Sequence, residues 1–167
     1  MKEVLQQLSA YNVWANQLLL AAIELLPEEK QRQQLVSSFD SLYTTVLHML
    51  DAESIWWQRV KLQERIIRPS ENFMGDMKEL SRLLMHQSRQ WNEWVMQAQE
   101  HMLQHVFKYQ DSRRESFKQP ISYALLQVFN HGTYHRGQLI TLLRQVGVEK
   151  VPNTDFISWT RKEPRKL

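Results

Sequence analysis

The sequence predicts an all-α protein: an up-down four-helix bundle with a small β-hairpin before the last helix and a C-terminal strap. Three observations carry that expectation. Four stretches return to apolar residues at about seven-residue spacing, the signature of amphipathic helices sharing a core. Four Gly and five Pro in 167 residues favour long helices over a turn-rich β fold. The helical period then disappears between Gln104 and Gln119, where two short runs flank a polar turn.

Length and composition fit one globular domain over 1–167, with 43% hydrophobic and 23% charged residues and no signature of disorder. A chain of that size buries roughly 70% of its unfolded surface. No apolar run approaches a membrane span, and Glu3 interrupts what would be a signal peptide's basic start, so the expectation is a cytoplasmic protein. With no cysteine, disulfides, thiolate ligands and a cysteine nucleophile are excluded. Any metal is left to nitrogen and oxygen, and any thiol must arrive with a substrate. The pI near 9.2 reflects a net charge of only +3. Basic residues interleave with acids except at Arg113-Arg114 and the tail from Arg161, so nucleic acid is not an expected partner.

The first helix follows Val4, Leu8, Tyr11, Ala15, Leu18, Ala22 and Leu25 for about 35 Å until Pro27 ends it. Asn12, Trp14 and Asn16 flank its stripe, where interhelical hydrogen bonds are the ordinary role for the asparagines. Glu28 to Gln34 reads as a loop or first turn. The second helix runs from Ser37 or Ser38 to Lys61, with Ser38 as N-cap and Phe39, Leu42, Val46, Met49, Trp56 and Val60 along the seam. His48 sits within it, Asp51 lies one turn on along the same side, and Glu53 points elsewhere. After a connection containing Pro69, the third helix carries Met77, Leu80, Leu84, Gln87, Trp91, Trp94, Ala98 and Met102. His86, His101 and His105 have no partner at helical spacing.

The runs 105–109 and 115–119 make the hairpin, and Pro120 and Ser122 open the fourth helix, which Gly147 stops. From Tyr123 to Val146 this helix has an apolar face of Ala124, Val128, Leu139, Leu142 and Val146. His131 falls at the edge of that face and His135 inside it. Residues four apart on a helix hold their Cβ atoms roughly 5–6 Å apart, close enough for both rings to reach one metal ion. Two core histidines satisfied by neighbouring hydrogen bonds are the competing reading. A bundle also allows His48 to meet the pair. Leu126, Phe129 and Ile140 form a second apolar side, which predicts a homodimer unless the strap from Val151 to Leu167, with Phe156, Ile157 and Trp159, covers it.

Tyr11-Asn12-x-Trp14-Ala15-Asn16, His48 with Trp56 downstream, the hairpin, and Asn130-His131-x-x-x-His135-Arg136-Gly137-Gln138 together resemble the DinB family of metal-binding four-helix bundles over nearly the whole chain. The resemblance implies that His48, His131 and His135 bind one divalent metal, zinc or nickel, and that the protein is often a homodimer. Relatives in the wider superfamily transfer low-molecular-weight thiols such as bacillithiol or mycothiol to electrophiles, or isomerise maleylpyruvate with a thiol cofactor. The expected activity is therefore a metal-dependent transfer of a small thiol to a small-molecule electrophile. The alternatives are a metal-dependent hydrolase or a non-catalytic metal-binding stress protein. Three imidazoles leave an open coordination position, as in catalytic zinc sites, where a thiol or water becomes more acidic. Asp51, Gln127 and Gln138 are candidates for orienting the imidazoles, and Tyr134 flanks the pair as a possible proton donor.

Overall fold

The computed structural model describes residues 1–162, and the end of the expected strap, 163–167, lies outside the described residues. Four long helices form the bundle: α1 (Lys2–Glu24), α3 (Leu42–Val60), α4 (Met77–Gln97) and α6 (Ile121–Gln145). Short helices α2 (Glu28–Arg32) and α5 (Glu100–Gln104) follow the first and third of these. The hairpin pairs β1 (Val106–Gln110) with β2 (Ser116–Pro120), and α7 (Phe156–Lys162) closes the described chain. Among the described residues no helix is long and apolar enough to cross a membrane.

α1 and α3 each pack against both α4 and α6, so α1 faces α3 across the core. That core comes in two halves. One gathers Leu19, Ile23, Leu42, Met49, Leu80, Leu139 and Leu142, and the other gathers Leu5, Trp91, Leu103, Phe107, Leu125 and Phe129. Along α1 and α6 the chain runs from the second half to the first; along α3 and α4 it runs from the first to the second. The helices therefore run up, down, down, up. Two consecutive parallel helices need a return path, and the connection 61–76 supplies it alongside α3. Gln58 bonds the backbone of Ile67, Asp51 bonds Ser70, and Tyr43 donates to the carbonyl of Gly75.

Several expected boundaries move for local reasons. The N-cap of α3 is Ser41, not Ser38: its Oγ accepts from the amide of Thr44 at 3.1 Å, and the Thr44 hydroxyl accepts from the Ser41 amide. This reciprocal box outcompetes Ser38 and leaves Phe39 in the loop ahead of the helix. The third long helix stops at Gln97, where Ala98 turns extended, instead of running to Met102. The hairpin turn is held by Asp111, whose Oδ1 accepts from the amides of Arg113 and Glu115. Gly147 ends α6 at a φ of 92°, the left-handed conformation that only glycine takes without cost.

The apolar second face expected on α6 is largely absent. Phe129 is 2% exposed within the second core half, and Leu126 and Ile140 are half-buried against the two halves. Among the described residues, the aromatic part of the strap does not cover that face. Instead Phe156 and Trp159 pack on Tyr11 of α1, at ring distances of 5.2 and 6.0 Å, while the Tyr11 hydroxyl donates to the Thr154 carbonyl at 2.6 Å.

Candidate metal centre

The packing of α3 on α6 brings His48 against His131 and His135. Their Nε2 atoms converge, 3.3 Å from His48 to His131 and 3.0 Å from His131 to His135. Two nitrogens bound at about 2.0–2.1 Å to one ion stand roughly 2.9–3.4 Å apart as their angle opens from square to tetrahedral. Both distances fall in that span, and the three ligand atoms all lie within 4.8 Å of one another, a grouping that could hold a single divalent ion. Hydrogen bonding alone serves the cluster less well, because the one Nε2 of His131 faces two neighbours and carries at most one proton. Among the described residues, no cysteine, aspartate, glutamate or further histidine joins the group.

The protonation states suit a metal. Burial, reinforced by the neighbouring imidazole charges, pushes His48 and His131 down from 6.5 to about 4. Burial also lowers His135, against the opposing pull of its bond to Gln138. All three are neutral near pH 7, with lone pairs to give. Gln138 fixes which one His135 gives. Its Nε2 donates to Ser38 Oγ and the Tyr134 hydroxyl, each at 3.1 Å, and its Oε1 faces His135 Nδ1 at 2.7 Å. An oxygen only accepts; Nδ1 therefore holds the proton and Nε2 turns its lone pair inward.

Of the other candidates, Tyr134 packs edge-on to His135 at 5.0 Å and is 60% exposed, its oxygen taking the Gln138 bond. Asp51 does not reach a histidine. Its carboxylate accepts from the amide and hydroxyl of Ser70 at 2.9 and 2.6 Å, pinning the return connection instead. Gln127 is exposed and lines a groove of about 720 Å³ on α6 together with Trp56, Tyr109, Tyr123 and Asn130. A cleft of about 280 Å³ on the other flank includes Tyr134 and Gln138. Neither is lined by the histidines themselves. His86, His101 and His105 are exposed and apart from the site.

Phe39 was the residue that seam spacing misplaced. From its loop it stacks on His48 at 4.0 Å and 22°, and meets the edge of His135 at 5.6 Å. Nothing in a helical period signals a loop residue over a site on two other elements. The chain reaches that position because α1 and α3 are diagonal, and the crossover between them passes over the end of α6.

A buried polar belt separates the core halves on all four long helices. Arg136, 1% exposed, donates through Nη1 to Asn12 Oδ1 at 2.5 Å and Asn16 Oδ1 at 3.0 Å, and through Nη2 to Thr133 Oγ1 at 2.8 Å. The two asparagines donate onward to Glu53 Oε1 at 2.9 and 3.4 Å, and the Ser88 hydroxyl and Trp91 indole bond Glu53 from α4. Burial pushes the Glu53 carboxyl up to about 7, against the pull of these donors and of Arg136. The flanking asparagines of α1 signalled interhelical bonding; the buried pair they bridge had no periodic signature.

The DinB family model matches residues 1–166. The chain is 28% identical over 159 residues to protein DinB of Bacillus subtilis strain 168, covering 90% of each chain. Its fold is similar to a DinB-like crystal structure from Bacillus cereus ATCC 10987, with a TM-score of 0.63, 18% identity, and 83% of this chain and 89% of that one covered. A DinB-like structure from Bacillus subtilis gives a TM-score of 0.67 at 16% identity, over 89% and 97% of the two chains. Matched by the family model almost from end to end, with a three-histidine group that can hold a metal at its centre, the chain belongs to the DinB family.

Proposed function

We propose that this protein is a divalent-metal-dependent enzyme that transfers a low-molecular-weight thiol to a small electrophile, with His48, His131 and His135 as the ligands. The observation that carries it is the convergence of three neutral Nε2 atoms with no fourth protein ligand among the described residues. A closed structural site uses four protein ligands, whereas a catalytic one keeps a position for water or substrate. A bound divalent ion supplies Lewis acidity there, which lowers the pKa of a thiol or of water.

The chain's own residues supply the rest. Gln138 keeps the proton of His135 on Nδ1. Phe39 stacks on the His48 ring, so its loop lies against one side of the site. The Tyr134 hydroxyl oxygen accepts from Gln138, which leaves its own proton available for a ligand. With no cysteine in the sequence, the nucleophilic sulfur comes from the cosubstrate.

A screen of the metal-loaded protein tests this, pairing small thiols with electrophiles and including ester and amide substrates. Thiol-dependent consumption of an electrophile, lost in His131→Ala, is the expected result. Ester or amide turnover without thiol would move the assignment to a hydrolase. Metal uptake with no turnover at all would leave a metal-binding protein.

A further inference from the structure

The buried belt around Arg136 has no part in the chemistry just described, yet it adjoins the histidines at several points. Arg136 follows His135 directly, and Gly132 follows His131. Glu53 sits on α3, the helix that carries His48. The link Arg136–Asn12–Glu53 is therefore a second tie between the two helices that bear the imidazoles, routed through α1.

Gly132 shows how close that tie is. A Cβ there would lie 2.9 Å from Asn12 Oδ1 and 3.0 Å from Arg136 Nη1, the two atoms that form the bond. Both belong to side-chain ends, so an added methyl displaces the bond before it displaces the backbone. Gly137, five residues further along α6, has nothing within 4 Å of the same added atom. The helix thus has one glycine that makes room for the tie and one that does not.

We propose that Arg136, Asn12 and Glu53 are positioning residues for the three-histidine site, setting the rotation and height of α6 against α3 and so the spacing of the three Nε2 atoms. The inference rests on the metal reading of that site. Its physical basis is tolerance: a metal constellation has to be held to about 0.5 Å and 10–20°, and a single seam of interchangeable aliphatic contacts permits more slip than that. The polar tie permits less, because its bonds are directional and their loss strands a buried guanidinium and carboxylate.

The test compares Gly132→Ala with Gly137→Ala in the full-length protein, two identical changes on one helix. Cobalt(II) binding is followed by its visible spectrum and by competition with a chelator, and the ring proton shifts of His131 and His135 are followed without metal. Gly132→Ala should lose about 10–100-fold in affinity, the range for lost orienting partners. Its cobalt spectrum and ring shifts should also change, while Gly137→Ala matches the parent in all three. Leu103→Ala, in the second core half, separates positioning from stability: its melting temperature should fall without change in the cobalt spectrum. If Gly132→Ala does not fold, Asn12→Ala replaces it, removing the bridging amide from α1. A folded variant that breaks the tie yet binds cobalt with parental affinity and spectrum overturns the proposal. A parent that takes up no cobalt overturns the proposed function instead, and the ring shifts alone then decide the positioning.

Discussion

Gln138 Oε1 stands 2.7 Å from His135 Nδ1, and the nitrogen of the same amide reaches Ser38 in the covering loop at 3.1 Å. One side chain therefore sets the tautomer of an imidazole and anchors the loop above it. Gln138→Ala should weaken divalent-metal affinity by about 10–100-fold while leaving the fold intact. Gln138→Glu keeps an acceptor at Nδ1 and should restore most of the loss. Chelator competition measures both, and equal affinities for parent and Gln138→Ala would exclude the orienting role.

Phe39 gives a kinetic prediction. Its ring shields the His48 face, so Phe39→Ala should speed the loss of bound metal to excess chelator more than it lowers equilibrium affinity. Stopped-flow measurement with a chromogenic chelator reads the rate. An unchanged rate would mean that the loop does not limit access.

How much of this was legible follows from what periodicity encodes. The seams of α1, α3, α4 and α6 and the spacing of His131 and His135 are local patterns, and they set the helices and the pair. Helix direction is not local: the seam of α4 reads the same whichever way it runs, and only the return path through Ser70 and Gly75 settles it. Asp51 shows the same gap, since facing the same side as His48 did not reveal that Ser70 would claim its carboxylate. Phe39 fits a seam by spacing, yet Ser41 and Thr44 cap the helix two residues later.

Acid should destabilise the metal-free protein through the cluster. His48 and His131 titrate near 6.5 when unfolded and near 4 when folded, so between those values the unfolded chain binds more protons and stability rises with pH. Glu53 acts in the opposite sense. Its carboxyl titrates near 4.5 unfolded and about 7 folded, so its contribution is complete below 4.5 and is lost as pH rises through 7. Glu53→Gln removes only this second effect. The stability of Glu53→Gln relative to the parent should therefore improve from pH 4.5 to 7.5, by on the order of 2–3 kcal/mol. Urea melts of the metal-free proteins across that range give the difference, and a flat difference would exclude the raised carboxyl.

Phe129→Asp should abolish folding, not separate a dimer. The ring is 2% exposed in the half of the core that also holds Leu5, Trp91 and Leu125. Truncating a buried Phe costs about 3–5 kcal/mol, and leaving a carboxylate in that apolar site adds to the loss. Circular dichroism and light scattering distinguish the outcomes. A folded monomer from a dimeric parent would return this side of α6 to the surface of a subunit contact.

Metal removal should leave the fold standing. Both core halves are assembled from apolar side chains of all four long helices. Removing an ion takes away one link between α3 and α6, while the aliphatic contacts around Leu42, Leu139 and Leu142 and the Arg136 tie persist. This differs from a zinc finger, where metal binding supplies most of the folding free energy. After dialysis against chelator, far-ultraviolet circular dichroism at 25 °C should match that of the loaded protein. The melting temperature should be lower by an amount that grows with the free metal concentration used for the loaded sample. Loss of helix at room temperature would show that the ion holds the bundle together, and would take away most of the support for a catalytic site.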